Sequence, residues 1–132
     1  MNPRMDLALA IDIGGTKFAA GLVTRSGDLL DREIHRIDHR DNADELFDEL
    51  ARLVKTQMQK AAERHDGRVV VCGIGSAGPM ASNCELVSPL NIKAWRDFPL
   101  RERLESLVGV PVFGDGDAKA LALAEGWLGA AR

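Results

Sequence analysis

The sequence has little cysteine and no excess of positive charge. Its two cysteines, Cys72 and Cys84, are too few for a disulfide framework or a four-ligand zinc site. The sequence has seventeen basic and twenty acidic residues, and the resulting net charge of −3 argues against a surface that binds along nucleic acid. We therefore expect no nucleic-acid partner.

Long apolar runs are also missing. The first apolar run, residues 7–11, is followed at once by Asp12, so neither a signal peptide nor a membrane-spanning segment is predicted. We expect a cytoplasmic protein without a membrane partner. A chain of 132 residues, 45% apolar and 28% charged, is long enough for one globular domain with its own core.

The apolar patterns predict a mixed α/β sheet. Strands at 7–13, 18–23 and 29–37 are separated by short turns, which favours an antiparallel meander with a charged third strand at its edge. Later strands alternate with helices, and such crossovers place strands parallel. The predicted later elements are a helix at 42–65, a strand at 68–74, a helix at 99–109, a strand at 110–113 and a helix at 118–128.

The turn between the first two strands reads DIGGTK. Backbone N–H groups at Gly14 and Gly15 are not shielded by a Cβ atom, and such clusters bind anions. Thr16 adds a hydroxyl donor, and Lys17 adds a charge suited to phosphate. Asp12, at the strand end, is placed to hold hydrated Mg²⁺. The alternative is an ordinary hairpin with two glycines, and the motif alone leaves both open.

A second glycine-rich stretch, VVVCGIGSAGP, has the spacing G-x-G-x-x-G at Gly73, Gly75 and Gly78. A dinucleotide site would need a helix to begin inside this turn, but Pro79 and a polar stretch follow. We predict instead that these glycines let a loop turn tightly beside a cavity.

Two further polar residues are candidates for a site. Asp117 follows a short strand and either caps the next helix or acts as a general base at the carboxyl end of that strand, where open α/β sheets bind ligands. Asn91, in SPLNIKAW, either offers its amide to a ligand or belongs to a loop anchored by Leu90 and Trp95.

Other potential ligands have simpler explanations. His35, His39 and His65 lie in charged stretches, and we expect them to be solvated and not to bind metal. The charged residues of the helix at 42–65 are expected on its solvated face. Cys72 is expected in the core, and Cys84 in a polar loop.

Four segments, IDIGGTK, GIGSAGP, SPLNIKAW and GDAKALALAE, occur in an order that resembles the N-terminal half of the ROK family (repressors, open reading frames and sugar kinases). The glucokinase-like members are the most similar. The resemblance implies the ribonuclease-H-like lobe shared with actin, hexokinase and heat-shock ATPases. It also implies that residues 1–132 are the N-terminal nucleotide- and sugar-binding lobe, that the second lobe lies outside this chain, and that the chain alone is nearly inactive.

The resemblance further implies ATP-dependent phosphorylation of a hexose, with glucose converted to glucose 6-phosphate. Asp117 would accept the proton of the attacking sugar hydroxyl, Asp12 would serve Mg²⁺, and residues 14–17 would bind the phosphates of ATP. Asn91, Gly75 and Gly78 would form the sugar side of the site.

Two positions depart from the family pattern. Gly116 and Lys119 stand where the family has asparagines, which affects the choice of sugar more than the type of reaction. The donor, ATP or polyphosphate, stays open. A sugar-sensing transcriptional regulator and a non-catalytic interaction module are the alternatives, and a homodimer is expected.

Overall fold

The computed structural model describes residues 5–14, 17–37, 42–76 and 98–115, which form five strands and two helices. The strands make one sheet in the order β3-β2-β1-β4-β5. β1, β2 and β3 pair antiparallel, whereas β4 pairs parallel to β1 and β5 parallel to β4. The predicted mixed sheet, a meander followed by parallel strands, is confirmed. The elements are β1 Met5–Ile13, β2 Lys17–Thr24, β3 Leu29–Arg36, α1 Ala43–His65, β4 Gly67–Ser76, α2 Leu100–Val108 and β5 Val112–Asp115.

The two faces of the sheet differ in side-chain size. Large apolar residues of β1 such as Leu9 and Ile13 are fully buried in one cluster with Leu50 of α1 and Leu104 of α2, so both helices pack on this side, the helix face. The opposite side, the far face, carries a smaller cluster: Ala8, Ala10, Val23 and Val71. Each large side chain fully buried on the helix face contributes roughly 1.5–3 kcal/mol of transfer free energy.

Helix α1 begins and ends where its sequence predicts. The side chain of Asn42 accepts hydrogen bonds from the backbone N–H groups of Asp44 and Glu45, both at 3.0 Å. Such a cap satisfies donors that the first turn of a helix leaves without partners. The helix ends at Asp66, whose left-handed backbone (φ 44°) lets its N–H bond the carbonyl of Ala61. The prediction of a helix over 42–65 is confirmed.

Helix α2 and strand β5 begin later than predicted. Pro99 precedes the first helical residue, Leu100, and Gly109 ends the helix with φ 69°, a value that favours glycine. The last strand was expected at 110–113, but it begins at Val112 and runs to Asp115. Pairing with β4 sets the extent of β5, because Val112 to Asp115 are the residues in register with Cys72 to Gly75. Cys72 itself is buried in the core, as expected.

Gly73 and Gly75 belong to β4 and not to a loop. They lie in register with Ala10 and Asp12 of β1. Gly73 lies inside the strand predicted at 68–74, whereas the prediction of a turning loop is wrong at Gly75. Glycine has low strand propensity, and only pairing on both sides keeps this stretch extended. The predicted helix at 118–128, Gly78, Cys84 and His39 lie outside the described residues.

Charged residues join β3 to α1. His35 contacts the carboxylate of Glu49, which is fully buried, and His65 contacts Asp31 at 3.3 Å. Lys60 of α1 donates a hydrogen bond to Glu33. The expectation that the histidines are merely solvated is therefore wrong for His35 and His65. The expected solvated face of α1 does not include Glu49, which is buried, whereas residues such as Asp48 and Arg52 are exposed as expected. Apolar periodicity does not show which charged groups a neighbouring strand will meet.

No helix within the described ranges is long and apolar enough to cross a membrane.

Candidate functional site

The turn between β1 and β2 is a tight hairpin. The backbone N–H of Gly14 donates to the carbonyl oxygen of Lys17 at 2.9 Å. A Cβ atom at Gly14 would lie 3.0 Å from that same oxygen, closer than side chains normally approach backbone. Glycine at this position therefore allows the two strands to meet within a short turn.

The hairpin bond limits which groups can meet an anion. The N–H of Gly14 is already engaged with Lys17, so among the described residues of the predicted phosphate motif the Lys17 ammonium is the donor that an anion could meet. Lys17, the first residue of β2, is exposed. Gly15 and Thr16 lie outside the described residues.

Asp12 lies at the far end of β1 on the far face. In the ladder it stands between Ala19 of β2 and Gly75 of β4, so its neighbours carry a methyl group or no side chain. The residue is exposed. A cavity of about 220 Å³ opens beside it, also lined by Ala10, Ala19, Gly21, Leu29 and Arg32. The carboxylate thus faces accessible space.

The chain segments that carry the other candidate site residues all begin at the same edge of the sheet. β1, β4 and β5 are parallel neighbours, so their carboxyl ends at Ile13, Ser76 and Asp115 lie at the same edge. Open α/β sheets bind their ligands at this edge. The segments that follow these strands carry the candidates Gly78, Asn91 and Asp117, which lie outside the described residues. Gly75 is described, and its register places it beside Asp12.

The described part of the chain contains no cluster of three or more potential metal ligands. A single exposed carboxylate nevertheless suits Mg²⁺, which keeps several waters and is held by one or two carboxylates together with substrate phosphates. Asp12 fits such an ion on the chemistry of its donor group. It does not fit a structural zinc site, which needs four protein ligands.

Arg36 was not singled out from the sequence. In the structure it lies directly opposite Lys17 in the β2–β3 ladder. The signal that could have found it is the length of the second hairpin, because the turn between two strands sets their register. The register of the β2–β3 ladder shifts between Leu22 and Val23, so counting residues back from the turn does not by itself pair Arg36 with Lys17.

A scan against protein-family models matches residues 8–132 to the ROK family. The chain belongs to the ROK family. The resemblance seen in its motifs is thereby confirmed. The ROK chain is 34% identical over 121 residues to a glucokinase of Streptomyces coelicolor, covering 92% of this chain and 36% of the relative. It is 36% identical over 118 residues to an N-acetylmannosamine kinase of Escherichia coli, covering 89% of this chain and 38% of the relative.

Solved structures give the same family. The ROK chain matches the crystal structure of a ROK family glucokinase from Streptomyces griseus in complex with glucose and AMPPNP, with a TM-score of 0.66 and 32% identity. The match covers 96% of this chain and 38% of that one. The chain thus spans little more than a third of the length of each of these relatives.

Proposed function

We propose that this chain is the nucleotide- and sugar-binding lobe of a kinase that transfers the γ-phosphoryl group of ATP to a hexose. The observation that carries the proposal is the DIGGTK hairpin at the carboxyl end of β1, which leaves Asp12 and Lys17 exposed on one face of the sheet, with a cavity beside Asp12. The identity to glucokinases and to N-acetylmannosamine kinases supports a sugar as the acceptor.

In this proposal the hairpin binds the phosphates of Mg-ATP. Asp12 would hold Mg²⁺, which would supply neutralisation of the charge on the phosphates. Lys17 places a point charge beside them. Residues 14–16 supply backbone and hydroxyl donors, apart from the N–H of Gly14, which the hairpin uses. Phosphoryl transfer depends mainly on this positioning and charge neutralisation.

The transfer itself is assigned to Asp117. Its carboxylate accepts the proton of the sugar hydroxyl while that oxygen forms a bond to the γ-phosphorus. The bond between the γ-phosphorus and the bridging oxygen breaks, and ADP leaves. Asp117 is the second residue after β5 in the sequence, and β5 lies two strands from β1 in the sheet.

Glucose is the proposed sugar, bound in part by Asn91 and by the backbone of Gly75 and Gly78. Gly75 lies between Asp12 of β1 and Asp115 of β5 in the ladder and carries no side chain of its own, which supports a place for its backbone beside the ligand. Relatives that phosphorylate glucose and N-acetylmannosamine have similar identity to this chain, which makes competition between these two sugars a direct measurement.

A titration calorimetry experiment on this chain tests the proposal. Mg-ATP and glucose should each bind, Asp12→Asn should weaken Mg-ATP, and Asp117→Asn should spare ATP binding. Asp48→Asn is the matched control, because Asp48 is an exposed carboxylate on α1 and its replacement changes the charge equally. We expect little ADP release from the chain alone, since a site without its opposite wall does not exclude water. If neither ligand bound, the proposal would fail.

Homodimerisation is a separate proposal. The exposed apolar side chains Leu29 and Ile34 on β3 support it, at 54% and 56% exposure. The charged residues along the same edge strand oppose strand-to-strand pairing. Sedimentation equilibrium over a range of concentrations decides between a dimer and a monomer.

A further inference from the structure

Lys17 and Arg36 place two positive charges directly opposite each other. They are partners in the antiparallel β2–β3 ladder, and both residues are exposed. Side chains opposed in this way lie on the same face of the sheet, with Cβ atoms about 4.5–5.5 Å apart. Like charges in that relation destabilise a pair of strands unless an anion lies between them.

No carboxylate in the described part of the chain forms an ion pair with either cation. The acidic residues of β3, Asp31 and Glu33, lie on the helix face, where both form ion pairs with Lys60 of α1. Arg36 alternates with them and therefore lies on the far face. Within the described residues, therefore, no carboxylate neutralises the charge of the Lys17–Arg36 pair.

The pair also adjoins the site already described. Lys17 closes the DIGGTK hairpin, and Asp12 lies on the same far face, in register with Ala19, the next residue of β2 on that face. A phosphate chain held by the hairpin would carry its negative charge toward the two cations. Arginine binds phosphate through two parallel N–H donors, which lysine cannot offer.

We propose that Arg36 is a phosphate-binding residue that, with Lys17, clamps the phosphoanhydride chain of the phosphoryl donor. The inference rests on the proposed function, because it places that donor at the DIGGTK hairpin. Its chemistry is shared by ATP and inorganic polyphosphate. Arg32 lies on the same face of β3 and lines the cavity, four residues and about 13 Å along the strand from Arg36. A chain longer than a triphosphate would reach both arginines.

Titrations of this chain with magnesium tripolyphosphate, followed by calorimetry, test the clamp. Arg36→Gln should weaken binding roughly three- to tenfold, the effect of one partly exposed charge-assisted contact. Arg36→Lys should restore part of the loss. Arg52→Gln, at an exposed position of α1, changes the net charge equally and should leave the affinity unchanged. The circular dichroism of each variant should match that of the parent chain.

The outcomes separate this inference from the proposed function. If the parent chain binds Mg-ATP and tripolyphosphate but Arg36→Gln binds them equally well, the clamp is overturned and the kinase proposal stands. If Arg36→Gln and Arg52→Gln weaken binding alike, the effect is general electrostatics and the clamp is again overturned. If the parent chain binds neither ligand, both proposals fail together.

A second arm identifies the source of the phosphates. Arg32→Gln is titrated with Mg-ATP and with polyphosphate of about fifteen units, a chain long enough to span the distance between the two arginines. Weaker binding of polyphosphate alone would extend the clamp along β3 for an inorganic donor. Unchanged binding of both ligands would confine the clamp to Lys17 and Arg36 for either donor, and weaker binding of both ligands would add Arg32 to the clamp for either donor.

Discussion

The imidazole Nε2 of His35 on β3 lies 3.0 Å from the Oε1 of Glu49 on α1, whose carboxylate is fully buried. A buried carboxylate is costly without polar partners, so this contact helps to hold the edge strand against the helix. The pair lies next to the site, because His35 is opposite Phe18, the residue after Lys17. Two positions that looked like surface residues in the sequence therefore stabilise the hairpin region.

Replacement of His35 should destabilise the fold. We expect His35→Ala to lower the free energy of unfolding by about 1–3 kcal/mol, since it removes a hydrogen-bond partner from a buried carboxylate. Urea denaturation measures this. His65→Ala, which removes a contact to the less buried Asp31, is the matched control and should cost less. An equal or smaller loss at His35 would contradict a stabilising role for the pair.

Replacement of Gln57 should raise the stability of the fold instead of lowering it. Its side chain is fully buried in α1, and neither its amide nitrogen nor its amide oxygen has a hydrogen-bond partner among the described residues. Gln57→Met keeps the size of the side chain and removes the unsatisfied groups, so it should raise the stability by about 1–2 kcal/mol. Gln59→Met, at an exposed position of the same helix, should stay within about 0.5 kcal/mol. Destabilisation by Gln57→Met would indicate that the amide is satisfied by a buried water.

Stability should fall steeply in acid. Hydrogen bonds from Arg25 and Arg68, at 2.7 and 3.0 Å, hold the pKa of the Asp6 carboxyl below its usual value. A depressed folded-state pKa contributes stability that is present above the unfolded pKa and is lost as pH falls through the folded one. The Asp6 contribution should therefore disappear below about pH 4.

Asp31 should behave in the same direction. Burial raises the pKa of its carboxyl, but the hydrogen bond from His65 and the charge of Lys60 outweigh burial and leave it lowered. Urea denaturation between pH 3 and 7 should show a shallower acid limb for Asp6→Asn and for Asp31→Asn than for the parent chain. Asp48→Asn is the control at an exposed site. Acid limbs of equal slope would show that these ion pairs do not govern acid unfolding.

Gly14→Ala tests the hairpin. The added Cβ would come 3.0 Å from the Lys17 carbonyl oxygen, a backbone atom that cannot move away cheaply. We expect a loss of about 1 kcal/mol in stability together with weaker Mg-ATP binding, because the turn must open. Gly109→Ala is the control: it is strained by its φ of 69° and should lower the stability but leave ATP binding unchanged. Unchanged ATP affinity in Gly14→Ala would separate the hairpin geometry from the phosphate site.

Part of the site follows from local sequence. A hairpin with Asp12 before it and Lys17 after it could be predicted, because glycines between two apolar runs have few other structures. The hydrogen bond from the Gly14 N–H to the Lys17 carbonyl could not be predicted, since it depends on how tightly the turn closes. Arg36 could not be found either, because its place opposite Lys17 depends on the register of β3.

By itself the sequence determined the type and order of the described elements, the start of α1 and the places where both helices end. Apolar periodicity and the caps at Asn42 and Gly109 act within a few residues of the chain. Tertiary structure alone decided that Gly75 belongs to a strand beside Asp12, and that His35 meets Glu49. These outcomes join residues 63 and 14 positions apart, and they depend on the backbone pairing and burial that only the assembled sheet and helix provide.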